Sequence, residues 1–135
     1  MFKKKDNLRY FVLQVLFPLL IGLLIYIFRE KIPSDLEFLL VKNNSIRLPE
    51  IILFHLSDAL WAYSLTSMLV LIRINDIIRY RVLSVLMSIF IMVFFEFSQL
   101  INICPGTFDI LDIFFMFVSV LIFIIINLQL LTKKI

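Results

Sequence analysis

Six polar side chains in this sequence could do chemistry inside an otherwise apolar chain. They carry carboxylate, imidazole or amide groups, and they are His55, Asp58, Glu96, Gln99, Asp109 and Asp112. They form three pairs with i, i+3 spacing, which puts each pair on one face of a helix. Carboxylates and imidazoles transfer protons and hold cations, so we treat all six as candidates for a ligand-binding site.

The stretches that carry these pairs are strongly apolar. Hydrophobic residues make up 62% of the 135-residue chain, whereas soluble domains have closer to half. The long apolar runs cover residues 11–28, 51–72, 82–103 and 108–131. Each run is long enough to cross a hydrocarbon core of roughly 30 Å, and a soluble chain of this size could not bury all four. We therefore predict an all-α fold, a polytopic membrane bundle of four transmembrane helices in which Pro18 kinks the first.

The basic residues predict the orientation of this bundle, which forms a single membrane domain over residues 1–135. Nine of the thirteen Lys and Arg lie on the side of the two termini, and four lie in the predicted outer loop, residues 29–50. The nine are Lys3, Lys4, Lys5, Arg9, Arg73, Arg79, Arg81, Lys133 and Lys134; the four are Arg29, Lys31, Lys42 and Arg47. The positive-inside rule then places both termini in the cytoplasm of a multi-pass cell-membrane protein. The small net charge of +3 does not suggest nucleic acid binding.

With this orientation, the three polar pairs fall at the same depth. All six residues lie within roughly 10 Å of the outer boundary, and Asp58 and Glu96 are the deepest. This arrangement predicts a shared acidic pocket that opens to the outside. The predicted spans contain no Lys or Arg, so the carboxylates need a bound cation, a cationic ligand group or an arginine from the outer loop. Arg47 is the nearest candidate for that arginine.

Structural roles compete with the functional one at most of these positions. Asp109 and Asp112 lie near the start of the fourth span, where carboxylates favourably oppose the helix dipole. His55 and Gln99 are equally suited to hydrogen bonds between helices. Glu96 is the hardest to explain structurally, because it is deep and far from the start of any helix.

Two features of the outer loops are less informative. Ser34 and Glu37 have the spacing of a capping box, which fits a short surface helix or an ordinary turn. Cys104 is the single cysteine, so a disulfide within the chain is impossible.

The region from residue 50 to residue 125 resembles the VanZ-like family of small membrane proteins. The resemblance is carried by Glu96-x-x-Gln99, a Pro105-Gly106 turn and Phe108-Asp109-x-x-Asp112, with Ser57 to Ser64 similar to the preceding helix of that family. The sequence departs from the family pattern at three positions. Gly106 stands where the family usually has Arg, and Met116 and Ser119 stand where it usually has Asn and Gly.

The resemblance implies an integral membrane protein of the bacterial cell envelope. The founding member of the family is associated with antibiotic resistance, namely resistance to glycopeptides such as teicoplanin, which act at the outer face of the membrane. We therefore expect the pocket to bind a polar or cationic ligand, such as a lipid head group or a glycopeptide antibiotic.

The alternative is an intramembrane enzyme that acts on a lipid-linked substrate with carboxylate and His55 acid–base or metal chemistry. Proton or cation passage is disfavoured, because four helices are few and the predicted inner halves hold no ionisable residue. The sequence assigns no catalytic residue, cofactor or metal. Its expected partners are the lipid bilayer, a lipid or antibiotic ligand and, in an oligomer, further copies of the chain.

Overall fold

The structure is a computed structural model that describes residues 4–30, 47–104 and 107–132. Its elements are α1 (Lys4–Tyr10), a π-helical stretch (Phe11–Leu16), α2 (Phe17–Glu30), α3 (Arg47–Ile72), α4 (Ile78–Leu100), α5 (Ile110–Ile126) and α6 (Leu128–Thr132). Those three ranges contain no β-strand, which confirms the all-α class. Most of the predicted outer loop, including Ser34 and Glu37, and the Pro105-Gly106 turn lie outside the described residues.

Two stretches of helix are long and apolar enough to cross a membrane. They are Asn7–Ile27 and Ile78–Leu100, and Ile110–Ile126 is a shorter apolar helix. Only 11% and 33% of their most apolar windows are buried, whereas the core helix of a soluble protein would be mostly buried. Exposed side chains such as Phe90 and Phe94 form the kind of surface that needs an apolar environment. These helices are compatible with a membrane protein, while the count of four spans and the orientation stay predictions.

The first predicted span is one continuous helical run that changes its winding ahead of Pro18. Proline has no N–H, and its ring would clash with the carbonyl four residues earlier, here that of Gln14. The preceding turns are widened, and the backbone N–H of Phe17 donates to the carbonyl of Val12, five residues back. The chain therefore accommodates Pro18 with a π-helical stretch and continues into α2.

Helix α3 is the central element of the bundle, because it packs against the π-helical stretch and against α2, α4 and α5. Its contact surface is rich in buried hydroxyl groups that find partners in the bundle. Ser64 Oγ donates to the Val15 carbonyl at 2.9 Å, and Thr66 Oγ1 lies 2.9 Å from Ser88 Oγ. In apolar surroundings such hydrogen bonds join helices and allow close approach. Close approach also explains Gly22, since a Cβ there would lie 2.9 Å from Trp61 Cδ1.

Helix α4 lies three to four residues earlier in the chain than the predicted third span. It begins at Ile78 and ends at Leu100, where the sequence predicts residues 82–103. The helix is closed by Asn102, whose φ of 56° is in the left-handed region that asparagine tolerates better than most residues. The backbone N–H of Ile103 then donates to the Ser98 carbonyl at 2.9 Å.

The predicted fourth span is also divided in the structure. Asp109 lies just before α5 as its N-cap, and the helix stops at Ile126 before α6 resumes. At the break, buried Asn127 donates from Nδ2 to the Phe123 carbonyl at 3.0 Å. A side chain that bonds to the local backbone in this way competes with the regular helix.

Arg81 belongs to α4, whereas the sequence places it in the connector before the third span. It is 1% exposed, and its guanidinium donates to the Leu130 carbonyl of α6. Two amides of α6, those of Leu130 and Leu131, donate to the carbonyl of Asn127. The buried guanidinium of Arg81 in the first turn of α4 therefore holds α6, the last described helix, against the bundle.

Replacement of Arg81 tests this attachment. We expect Arg81→Met to accelerate hydrogen exchange of the Leu130 and Leu131 amides by about 10–100-fold, because hydrogen bonds to charged groups contribute roughly 1.5–3 kcal/mol. Exposed Arg79, two residues earlier, supplies the control Arg79→Met, which should leave these amides unchanged. Equal exchange in both variants would contradict the attachment.

Candidate functional site

The packing of α3 against α5 brings His55 and Asp112 into contact. The Nδ1 atom of His55 lies 2.5 Å from Oδ1 of Asp112, and the two side chains form an ion pair when the imidazole is protonated. His55 is 7% exposed. The carboxylate accepts the hydrogen bond, so it fixes which imidazole nitrogen carries a proton and how the ring is oriented.

Phe115 holds the same imidazole from a second direction. Its ring stacks on His55 with centroids 5.3 Å apart and planes 9° from parallel. Asp112 and Phe115 are three residues apart on α5, so one helix face supplies both the carboxylate and the aromatic ring. The ring of His55 is therefore fixed in both position and plane.

Asp109 has a structural role and also contributes to the site. Its Oδ1 accepts the backbone N–H of Leu111 at 2.8 Å, which is the N-cap interaction of α5. Asp109 also provides a carboxylate oxygen that lies with one oxygen of Asp112 and one nitrogen of His55 in a group spanning no more than 4.8 Å. The structural role of Asp109 is therefore confirmed, and it does not remove the residue from the cluster.

Glu96 reaches the cluster from α4. It is 4% exposed, and its carboxylate lies near the backbone of Asp109. It interacts electrostatically with the carboxylates of Asp112, Asp58 and Asp109. Its Oε2 atom is buried and has no hydrogen-bond partner among the described residues. A buried acceptor left in this state costs roughly 1–3 kcal/mol, and more when the group is charged.

The structure thus brings four of the candidate residues into one cluster, namely His55, Glu96, Asp109 and Asp112. Asp58 is half-buried, lies within electrostatic range of Glu96 and has interactions of its own. Gln99 is half-buried one turn beyond Glu96, and its backbone carbonyl accepts the N–H of Asn102. Arg47 is the first residue of α3, but its side chain lies outside the described residues. The replacement of the family arginine by Arg47 therefore stays a prediction.

The structure also contains an apolar cleft beside the cluster, which the sequence did not predict. It has a volume of about 490 Å³ and lies between the first helical run, α3 and α5. Its walls include Phe17, Leu60, Phe115 and Ile122. The polar atoms of the wall have partners inside the protein, as in the hydrogen bond from the Tyr63 hydroxyl to Gln14. Phe115 is shared between the cleft and the stack on His55, so the two sites adjoin.

Sequence reasoning missed Phe115 for an identifiable reason. It lies in a run with Phe114 and Phe117, and nothing in composition distinguishes the ring that stacks on an imidazole from one that faces outward. The available signal is its i+3 spacing from Asp112, which places both on one face of α5.

Comparison of the chain with protein-family models, curated proteins and solved structures finds no match in any of the three. The resemblance to VanZ-like proteins is therefore untested by these comparisons. The function must be inferred from the geometry of the site itself.

Neutralising Glu96 tests whether the cluster is electrostatically unfavourable when it holds no ligand. We expect Glu96→Gln to raise the free energy of unfolding of the detergent-purified protein by about 0.5–2 kcal/mol, the usual range of a stabilising substitution. The neutral amide keeps the size of the side chain and removes repulsion from the neighbouring carboxylates.

The control is Asp76→Asn. Asp76 pairs with Arg73 at 3.1 Å and lies in the connector between α3 and α4, away from the cluster. This half-exposed pair contributes little, so the change should stay within about 0.5 kcal/mol. Destabilisation by Glu96→Gln in denaturant titrations would show that the carboxylate is compensated inside the protein.

Proposed function

We propose that this chain is a VanZ-like integral membrane protein of the bacterial cell envelope, with an outward-facing acidic pocket. The pocket binds a polar or cationic part of a ligand, such as a lipid head group or a glycopeptide antibiotic. The observation that carries the proposal is buried Glu96, whose Oε2 has no partner among the described residues although three other carboxylates lie nearby.

Charge balance supports a cationic group as the ligand. His55 is paired with Asp112, and one imidazole offsets at most one of the neighbouring carboxylates. Buried carboxylates at close range repel each other and lose hydration, so a cation that enters the cluster relieves both effects. Sites of this kind retain unfavourable charges because the ligand compensates them.

The adjoining cleft supports a lipid as the source of that group. A lipid combines a polar head with apolar chains, and the acidic cluster and the apolar cleft meet at Phe115. The cleft volume of about 490 Å³ falls within the range typical of ligand sites. A chain in the cleft would place the attached head group beside His55 and Asp112.

The distribution of charge along the bundle supports the outward direction. The cluster uses the first half of α3, the last turns of α4 and the start of α5. Exposed Arg73 and Arg79 lie at the opposite ends of α3 and α4. Because basic residues are retained on the cytoplasmic side, this polarity favours a site that faces outward.

The experiment compares Glu96→Gln with Asp76→Asn at matched expression levels. Two readouts are measured: teicoplanin susceptibility of cells that carry each variant, and native mass spectrometry of head-group lipids retained by each purified protein. We expect Glu96→Gln to lose retained lipid and to shift susceptibility, because the ligand's cationic group loses its buried counter-charge. Asp76→Asn should behave as the unaltered chain. Unchanged lipid retention and susceptibility in Glu96→Gln would overturn the proposal.

The oriented His55–Asp112 pair favours a second candidate, an intramembrane enzyme that acts on a lipid-linked substrate. A carboxylate that holds an imidazole in one tautomer is the arrangement that general-base catalysis uses. We expect the purified protein to convert a component of a bacterial envelope lipid extract, detected by mass spectrometry, and His55→Gln to abolish the conversion while lipid is still retained. Lack of any product with the unaltered chain would count against this candidate.

A further inference from the structure

We propose that His55, Asp109 and Asp112 form a binding site for a divalent transition-metal ion, with Zn²⁺ as the best match. This inference rests on the proposed function, because it identifies the cation that the acidic pocket holds. It draws on three observations: the spacing of the donor atoms, the way each donor is held, and the orphaned oxygen of Glu96.

The spacing of the donor atoms suits a single ion. One nitrogen of His55 and one oxygen each from Asp109 and Asp112 lie within 4.8 Å of one another. In tetrahedral coordination, bonds of 2.0–2.2 Å from Zn²⁺ to imidazole nitrogen or carboxylate oxygen place two ligand atoms roughly 3.3–3.6 Å apart. Donor atoms up to 4.8 Å apart therefore reach one ion after side-chain movements of about 1 Å.

Each donor is already held in place by another interaction. The imidazole of His55 is stacked on Phe115, and Asp109 is anchored by its N-cap hydrogen bond to Leu111. Asp112 is held by the hydrogen bond that it accepts from His55. Binding through Nδ1 would replace this hydrogen bond by two bonds to the metal and leave the remaining imidazole proton on Nε2, since a histidine ligand binds as the neutral imidazole.

Glu96 supplies the independent observation that points to a ligand. Its side chain is buried within electrostatic range of Asp109 and Asp112, and its Oε2 atom has no hydrogen-bond partner among the described residues. An ion next to Asp109 and Asp112 would offset this carboxylate either through direct coordination or through a bound water. The N-cap alone accounts for Asp109, but it does not account for the buried oxygen of Glu96.

The donor set decides the class of metal. Mg²⁺ and Ca²⁺ prefer oxygen donors only, whereas an imidazole next to carboxylates suits Zn²⁺ and related transition ions. Three protein ligands leave a fourth position of tetrahedral Zn²⁺ for water, for Glu96 or for a polar group of a bound molecule.

The test is metal binding by the full chain, purified in detergent and stripped with a chelator. After equilibration with Zn²⁺ and removal of the excess, we expect one ion per chain by elemental analysis. Competition with a fluorescent chelator then gives the affinity. We expect His55→Gln and Asp112→Asn each to weaken the Zn²⁺ affinity by at least about 10-fold. Loss of even an outer-shell partner of a metal site typically weakens metal affinity about 10–100-fold.

Three further variants distinguish this site from adventitious Zn²⁺ binding elsewhere on the chain. Asp109→Asn keeps an N-cap side chain but removes a charged donor, so it should fold normally and bind Zn²⁺ more weakly. Asp76→Asn removes an acid elsewhere, and Cys104→Ser removes the single thiol; both should bind as the unaltered chain does.

Several results would overturn the metal site. They are no Zn²⁺ above background in the unaltered chain, unchanged affinity in the His55, Asp109 and Asp112 variants, or loss of binding in Cys104→Ser. If Zn²⁺ does not bind while Glu96→Gln still abolishes lipid retention, the metal inference fails and the proposed function stands. If Zn²⁺ binds while Glu96→Gln changes neither lipid retention nor susceptibility, the proposed function fails instead.

Discussion

The structure depends on one constraint: a polar group among apolar helices has to find its partner inside the protein. Most described groups do so over short distances. Ser64 bonds to the backbone of the first helical run, Thr66 lies against Ser88, and the guanidinium of Arg81 bonds to a carbonyl of α6. Because these bonds join different helices, they also fix how the helices pack. Among the described residues, Asn7 Oδ1 and the Tyr10 hydroxyl also have no hydrogen-bond partner, but Glu96 is the one carboxylate with a buried oxygen in that state. Its departure from the constraint marks the region where a ligand can supply what the protein does not.

The central position of α3 explains how one short chain builds this region. A helix that contacts the first run, α4 and α5 presents different faces to different neighbours. One face carries hydroxyl groups that secure the packing, and another carries His55 toward α5. The acids lie at the end of α4 and the start of α5, two helix ends that are separated by nine residues of the chain. The cluster therefore needs no long insertion, since the ends of three packed helices are sufficient.

Much of the arrangement could be predicted from the sequence, and the limits have physical causes. The apolar runs predict helices, and the distances of Glu96, Asp109 and Asp112 from the ends of their predicted spans predict that they can meet at one depth. The helix limits differ from the predicted spans by a few residues, because Asn102 and Asn127 end helices through local backbone interactions that hydrophobicity does not report. The sequence places Arg81 in a connector rather than in α4, because a charged residue is expected outside a buried helix face unless its buried acceptor is known. The contacts of His55 with Asp112 and Phe115 depend on how α3 is rotated about its own axis relative to α5. This rotation cannot be read from a single sequence.

Asp109 links the site to the secondary structure in a way that reaches beyond binding. One of its oxygens holds the first turn of α5, and its backbone lies near the carboxylate of Glu96. A ligand that binds the carboxylate of Asp109 therefore also affects the formation of the first turn of α5. Occupancy and helix order become thermodynamically linked: a bound ligand stiffens the start of α5, and fraying of that turn lowers affinity. Ligand occupancy at the proposed site would in this way change the order of the first turn of α5.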